Sequence, residues 1–280
     1  MSTQVPAVEK APPSHSASDL EAGNLNLLDS ADGGASLRRQ ISVQLSPEQF
    51  ERLYLQPGGA QAKGDLTKRF GNPTGLGIAS FLLCLTPFSV YLMGWMGTST
   101  AAAATLTGAM YFMGGLGLMV AGLLEWILGN TFPFIVFFSF GSFWLSFGYL
   151  LQPSQGIAAS LAENTVDYNG GIAAYLIWWS VLVLVYLVGS IRTNVVFILL
   201  FSFLEITFWL LVAVYIRLTY GATDVTGIMR AAGAFALLTC VMGWYLLTVL
   251  IFDSVGIPVK LPIGDMSDVW ASRARRRRNE

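Results

Sequence analysis

The sequence has 280 residues, of which 54% are hydrophobic and only 12% are charged, and its formal net charge is −1. A water-soluble domain carries about 25% charged residues, so this composition excludes an ordinary soluble globular protein. The near-zero net charge gives no reason to expect a polyanionic partner such as nucleic acid.

The few charged residues are unevenly placed along the chain. No Asp, Glu, Lys or Arg occurs between Arg69 and Glu125, between Glu125 and Glu163, or between Asp167 and Arg192. Uncharged apolar stretches of about 18 residues or more are typical of membrane-spanning helices. The pattern predicts an all-α membrane protein with six transmembrane helices, at residues 75–96, 101–124, 132–151, 172–191, 195–216 and 230–252.

Small residues recur in the second of these spans. They are Ala104, Gly108, Gly114, Gly115, Gly117, Ala121 and Gly122. Small residues let helix backbones approach closely within a membrane. They predict tight packing of this helix, either within one chain or between chains.

The spans divide the chain into three parts. Residues 1–70 are rich in Ser, Pro, Ala, Gly and Gln and are predicted to be a disordered cytosolic tail, with one short amphipathic stretch at residues 47–55. Residues 71–255 form the predicted six-helix domain, and residues 256–280 form a basic C-terminal tail. The run Arg38-Arg39-Gln40-Ile41-Ser42 is typical of a basophilic kinase site, with Ser42 as the acceptor.

The residues that usually carry catalysis or bind metal are scarce. The single histidine, His15, lies in the tail, and the two cysteines, Cys84 and Cys240, fall inside apolar spans. We therefore expect no cofactor and no metal, and an enzyme is the least favoured function.

Positive charges near the spans indicate orientation, because cytoplasmic loops carry an excess of Lys and Arg. Lys63, Lys68 and Arg69 precede the first span, five arginines follow the last, and the turn after the fourth span holds Arg192. Arg217 and Arg230 oppose this majority. The majority predicts that both termini are cytosolic.

Each odd-numbered span begins with an asparagine beside other signals of a helix start. These are Asn72 followed by Pro73 and Thr74, Asn130 followed by Thr131, and Asn194 after Thr193. Helix N-termini carry free N–H groups and partial positive charge. One interpretation is an anion pathway formed by converging N-termini; plain helix capping is the other.

Two carboxylates fall at membrane depth. Glu125 closes the second span and Glu205 lies near the middle of the fifth. An acidic residue inside a membrane is a functional hypothesis by default. For Glu205, proton coupling and a hydrogen bond to a neighbouring helix both remain open.

These residues resemble the acetate uptake transporter family. The resemblance rests on Asn72-Pro73-Thr74-Gly75-Leu76-Gly77 with Phe81, on Gly114-Gly115, Ala121 to Glu125, Gly129 to Phe132 and Gly141 to Leu145, and on Leu261 to Asp265. It implies six helices per protomer, hexameric rings, and a separate pore in each protomer. It further implies a hydrophobic constriction at Phe81, Phe140 and Leu204, with the Asn72-Pro73 and Asn130-Thr131 segments flanking the pathway and Glu125 nearby.

The sequence departs from the family pattern at several pathway positions. Thr74-Gly75 replaces Ala-Pro, and Phe140 replaces Tyr. The leading hypothesis is a plasma-membrane permease for a small monocarboxylate such as acetate, coupled to protons, with Glu205 as the candidate for proton coupling. Export of ammonia or ammonium is an alternative, and a non-transporting acetate sensor or membrane scaffold is an alternative of another class.

Overall fold

The computed structural model describes residues 70–259, 261–264 and 266. Its six long apolar helices confirm the predicted number of spans within these residues. They are α1 Thr74–Met93, α2 Thr100–Ile127, α3 Thr131–Leu151, α4 Thr165–Ser190, α5 Val195–Thr219 and α6 Thr226–Ser254. Residues 1–69 of the predicted tail, which include the amphipathic stretch and Ser42, and the C-terminal arginines lie outside the described residues.

Two helices begin several residues earlier than the sequence predicts. Helix α4 starts at Thr165 rather than at 172, because the side chain of Asn164 accepts a hydrogen bond from the Asp167 N–H and caps the first turn. Helix α6 starts at Thr226 rather than at 230, after Asp224 accepts a hydrogen bond from the Thr226 N–H. A polar cap at Asn164 therefore begins α4 before its apolar stretch, and a turn at Asp224 precedes the start of α6.

Helix α2 changes its winding along its length. It runs as a 3₁₀ helix over Thr100–Leu106, an α-helical turn over Thr107–Ala109, a π-helical segment over Met110–Gly117 and an α-helix over Leu118–Ile127. π-Helical segments are rare in proteins, and those that occur are frequently found at functional sites.

The glycines of α2 allow its neighbours to approach closely. A Cβ atom on Gly114 would lie 2.7 Å from Cys84 Sγ on α1 and 2.7 Å from Trp144 Cγ on α3. A Cβ atom on Gly117 would lie 2.5 Å from Ser80 Oγ. The tight packing predicted from the small residues thus occurs within one chain.

The helices close into a ring. Helix α1 packs between α2 and α6, α5 packs between α4 and α6, and α2 packs on α3. Aromatic rings link α3 to α4 and α5. The ring centroid of Phe143 lies 4.9 Å from that of Trp179 on α4 and 5.6 Å from that of Phe208 on α5. Aromatic side chains therefore join α3 to α4 and α5 across the interior of the bundle.

We call the end of the bundle where α1, α3 and α5 begin the odd end, and the opposite end the even end. A C-terminal segment, Leu261–Gly264, lies against the odd end. The Val195 N–H donates to the Gly264 carbonyl at 3.0 Å, the Tyr245 hydroxyl donates to the Pro262 carbonyl at 2.6 Å, and Ile263 is buried. These two hydrogen bonds connect the end of α6 to the start of α5 through the segment.

Candidate functional site

An apolar cavity lies inside the bundle between α1, α2, α3 and α5. It offers about 40 Å³ of space that the centres of water-sized molecules can occupy, and the wider empty space of about 390 Å³ includes open solvent. Its lining consists of Ile78, Phe81, Leu118, Val136, Phe137, Phe140, Phe197, Leu200, Phe201 and Leu204. All ten are hydrocarbon side chains, so the cavity suits an apolar group or a small neutral solute.

The three residues predicted to form a constriction meet in this cavity. Phe81, Phe140 and Leu204 all line it, and the rings of Phe81 and Phe140 meet edge to face with centroids 5.5 Å apart. Phe140 and Leu204 are buried, whereas Phe81 is half-buried. The structure therefore brings these residues together, and their role as a gate stays a prediction.

A buried polar cluster joins three helices at the odd end. The Thr74 hydroxyl of α1 donates to Glu125 Oε1 of α2 at 2.5 Å, and the Asn130 amide, just before α3, donates to Glu125 Oε2 at 2.7 Å. None of the three side chains is more than 1% exposed. Both carboxylate oxygens thus accept hydrogen bonds, as a buried acidic group requires.

The cluster and the cavity lie on the same faces of their helices. Thr74, Ile78 and Phe81 follow the i, i+4, i+7 spacing of one helical face, and Leu118 precedes Glu125 by seven residues. At 1.5 Å per residue, Thr74 is about 6 Å from Ile78 along the helix axis and Glu125 about 10 Å from Leu118. The polar cluster therefore lies one to two turns beyond the cavity toward the odd end.

The three predicted asparagine caps differ in what they bind. Asn72 accepts a hydrogen bond from the Thr74 N–H at 2.8 Å, and Asn194 accepts one from the Phe197 N–H at 2.9 Å. Asn130 occupies the capping position of α3, but its side chain makes no capping hydrogen bond and donates to Glu125 instead. The side-chain cap considered for Asn130 is therefore not formed, and its amide nitrogen instead joins α3 to Glu125 of α2.

The remaining predicted pathway residues differ in exposure. Pro73 and Asn130 are buried, while Asn72 and Thr131 are exposed at the odd end. Asn72 and Thr131 are thus accessible from the surface, and the contribution of these four residues to a pathway stays a prediction.

Glu205 faces away from the cavity that its neighbour Leu204 lines. Its Oε1 accepts a hydrogen bond at 2.7 Å from the indole N–H of Trp209, one turn further along α5. Its Oε2 is buried and has no hydrogen-bond partner among the described residues. Trp209 is 46% exposed whereas Glu205 is 8% exposed, so the buried carboxyl bonds to an indole on the outer side of α5. A hydrogen bond to a neighbouring helix is one of the two interpretations that the sequence leaves open for Glu205, and this bond is formed within α5 instead.

Sequence reasoning missed an aromatic layer on the other side of the cavity. Phe143 lies one turn beyond Phe140 on α3, and rings from three helices surround it. These are Trp144, Phe147, Tyr175, Trp179 and Phe208, with centroids 4.9 to 6.2 Å away. The spacing of Phe140, Phe143 and Phe147 on one face of α3 is the signal that could have identified it.

A second, wider depression opens at the even end. It is bordered by the start of α2, by the end of α3 and by Tyr168 of α4, and encloses about 820 Å³ including open space. Gln152 lies on its border and accepts a hydrogen bond from the Tyr111 hydroxyl at 2.7 Å. From the odd end to the even end, the bundle thus presents a polar cluster, an apolar cavity, an aromatic layer and a depression.

Comparisons with known proteins agree with this architecture. Protein alcS of Aspergillus fumigatus is 42% identical over 244 residues, which cover 84% of this chain and 89% of that protein. Acetate transporter protein patA of Aspergillus clavatus is 32% identical over 209 residues, which cover 74% of this chain and 83% of that protein.

A solved structure shares the fold. The bacterial acetate channel SatP superposes with a TM-score of 0.57 at 24% sequence identity, over 70% of this chain and 99% of the SatP chain. Residues 54–268, which include all six spanning helices, match the GPR1/FUN34/yaaH family. The chain is therefore a multi-pass integral membrane protein that belongs to the GPR1/FUN34/yaaH family.

Proposed function

We propose that this protein transports acetate, or a monocarboxylate of similar size, across a membrane together with a proton. The observation that carries the proposal is the apolar cavity lined by α1, α2, α3 and α5, with polar groups on one side and a depression on the other. The names of the relative patA and of the SatP channel supply acetate as the substrate class.

The proposed route begins at the odd end. The N-termini of α1 and α3, beside Asn72 and Asn130, attract the carboxylate through their partial positive charge. The acid then passes Phe81, Phe140 and Leu204, which act as the gate, and leaves past the aromatic layer around Phe143. A cavity of this size favours acids with few carbon atoms.

We further propose a plasma-membrane location, cytosolic termini and a homo-oligomer, a hexamer by the family resemblance, in which each protomer has its own pathway. An even number of spans is consistent with both termini on one side. The arginine in the α4–α5 turn, Arg192, supports a cytosolic odd end. Accessibility of an epitope tag in intact cells tests the orientation, and native mass spectrometry tests the hexamer.

Uptake of labelled acetate tests the transport proposal. In a host without its own acetate permeases, cells that express the protein at the surface should take up acetate at acid pH. Leu204→Trp should block uptake by filling the cavity, whereas Ile206→Trp, which changes an outward-facing position on the same helix, should not. The proposal fails if surface-targeted protein supports no uptake.

The same cells separate the two alternatives. Efflux of methylammonium without acid uptake would favour ammonium export. Deletion of residues 1–60 addresses the sensor alternative: transport should survive the deletion if the helical bundle is the working part. A loss of signalling without any transport would favour a sensor whose tail is the output.

A further inference from the structure

The cavity that contains Phe81, Phe140 and Leu204 offers a substrate no hydrogen-bond donor. Its lining residues are isoleucine, leucine, valine and phenylalanine. The buried titratable side chains of the described spanning helices are Cys84, Glu125, Tyr186, Glu205 and Cys240. None of them lines the cavity. An ion in the cavity would therefore be surrounded by hydrocarbon side chains.

The hydrogen-bond donors of the polar cluster at the odd end are already engaged. The Thr74 hydroxyl and the Asn130 amide both donate to Glu125. If the hydroxyl or the amide turned toward a passing carboxylate, its hydrogen bond to Glu125 would be lost. The loss of a hydrogen bond to a buried acidic group is costly in free energy. The donors of the polar cluster are thus poorly placed to form hydrogen bonds with an anion that enters the cavity.

Charge decides which form of the substrate can enter. A carboxylate that leaves water for a space without donors loses its hydration, and a group in that position takes up a proton instead. The edges of phenylalanine rings carry partial positive charge, but their contacts are weak compared with that loss. At two pH units above the pKa of the acid, about one molecule in a hundred is neutral, which corresponds to about 2.7 kcal/mol. The neutral form is therefore scarce but accessible.

On these grounds, and resting on the proposed transport of a monocarboxylate, we propose that the species that crosses the cavity is the undissociated acid. The carboxylate takes one proton from water before it enters the cavity and returns one proton to water after leaving it. One proton therefore accompanies each acid molecule on the substrate itself. A pH gradient then drives uptake although no side chain that lines the cavity titrates.

Purified full-length protein in lipid vesicles tests this inference. Initial uptake of labelled acetate is measured at a fixed total concentration while the external pH is raised from 5 to 7. Vesicles without protein, and vesicles with the Leu204→Trp variant, supply the background of acid that crosses the lipid itself. Trifluoroacetate, an acid of similar shape that stays ionised over this pH range, is measured in parallel.

We expect the protein-dependent rate to fall in proportion to the neutral acid, by about tenfold for each pH unit once the pH is well above the pKa of the acid, and we expect no uptake of trifluoroacetate. A rate that follows the ionised concentration, or protein-dependent uptake of trifluoroacetate, overturns the inference and leaves the proposed function standing. Absence of protein-dependent acetate uptake at every pH overturns the proposed function itself.

Discussion

Thr74 and Glu125 are 51 positions apart in the sequence, yet the Thr74 hydroxyl lies 2.5 Å from Glu125 Oε1 inside the bundle. Asn130 completes the contact from the start of α3. The carboxylate of Glu125 thus ties α1, α2 and α3 together one to two turns from the cavity. Because both of its oxygens accept hydrogen bonds, we interpret Glu125 as the group that stabilises the packing of α1, α2 and α3 at the odd end of the proposed pathway.

This interpretation predicts that the Thr74 hydroxyl stabilises the fold. Thr74→Val keeps the shape of the side chain but removes the donor, and a hydrogen bond to a buried charged group contributes about 2 kcal/mol. Thr74→Ser keeps the donor and should retain most of that stability. Thermal unfolding of the two variants in the same detergent measures the difference. Equal midpoints for Thr74→Val and the unchanged protein would contradict the interpretation.

The close contacts around Gly114 of α2 give a second prediction. Gly114→Ala places a methyl group against Cys84 and Trp144, so we expect a poorly folded or strongly destabilised protein. Gly108→Ala is the matched control, because nothing lies within 4 Å of the added carbon, and alanine favours a helix over glycine by about 1 kcal/mol. Size-exclusion profiles and unfolding midpoints compare the two. A Gly114→Ala protein as stable as Gly108→Ala would show that the close packing is unimportant.

The number and order of the helices could be predicted from the sequence, because charge-free apolar stretches report directly on a membrane environment. The starts of α4 and α6 could not, since the prediction ended each span where polar residues begin. The structure continues α4 through Asp167, which lies in its first turn beside the Asn164 cap. Hydropathy locates the lipid-facing stretch, whereas caps determine where a helix begins.

The site could be predicted only in part. Phe81, Phe140 and Leu204 were grouped by resemblance to a family, and they do line one cavity. The bond between Thr74 and Glu125 was not anticipated, because no local spacing relates residues on two helices that pack only in the folded bundle. The direction in which Glu205 points was also beyond prediction, since it depends on its position relative to α4 and α6.

Cavity size should control which acids pass. Leu204→Ala removes a lining side chain, so we expect uptake of larger acids such as butyrate to rise relative to acetate. Leu211→Ala is the matched control, because Leu211 is a buried leucine of the same helix that does not line the cavity. Both changes should destabilise the protein by about 2–5 kcal/mol. The ratio of butyrate to acetate uptake separates selectivity from stability, and an equal ratio in both variants would mean that Leu204 does not set substrate size.

Glu205 provides the test that separates the two explanations of proton coupling. If its carboxyl carries the proton, Glu205→Gln should abolish the stimulation of uptake at acid pH, and Trp209→Phe, which removes its hydrogen-bond partner, should shift the pH midpoint. If the proton travels on the acid, neither change should alter the pH dependence.

We expect the second result, because Glu205 lies outside the cavity lining and bonds to a tryptophan on the outer side of α5. Uptake by both variants across the pH series, with surface expression measured for each, distinguishes the outcomes. A Glu205→Gln protein that is well expressed and takes up acetate at a rate independent of pH would identify Glu205 as the proton carrier. It would also require the anion, rather than the neutral acid, to cross the apolar cavity.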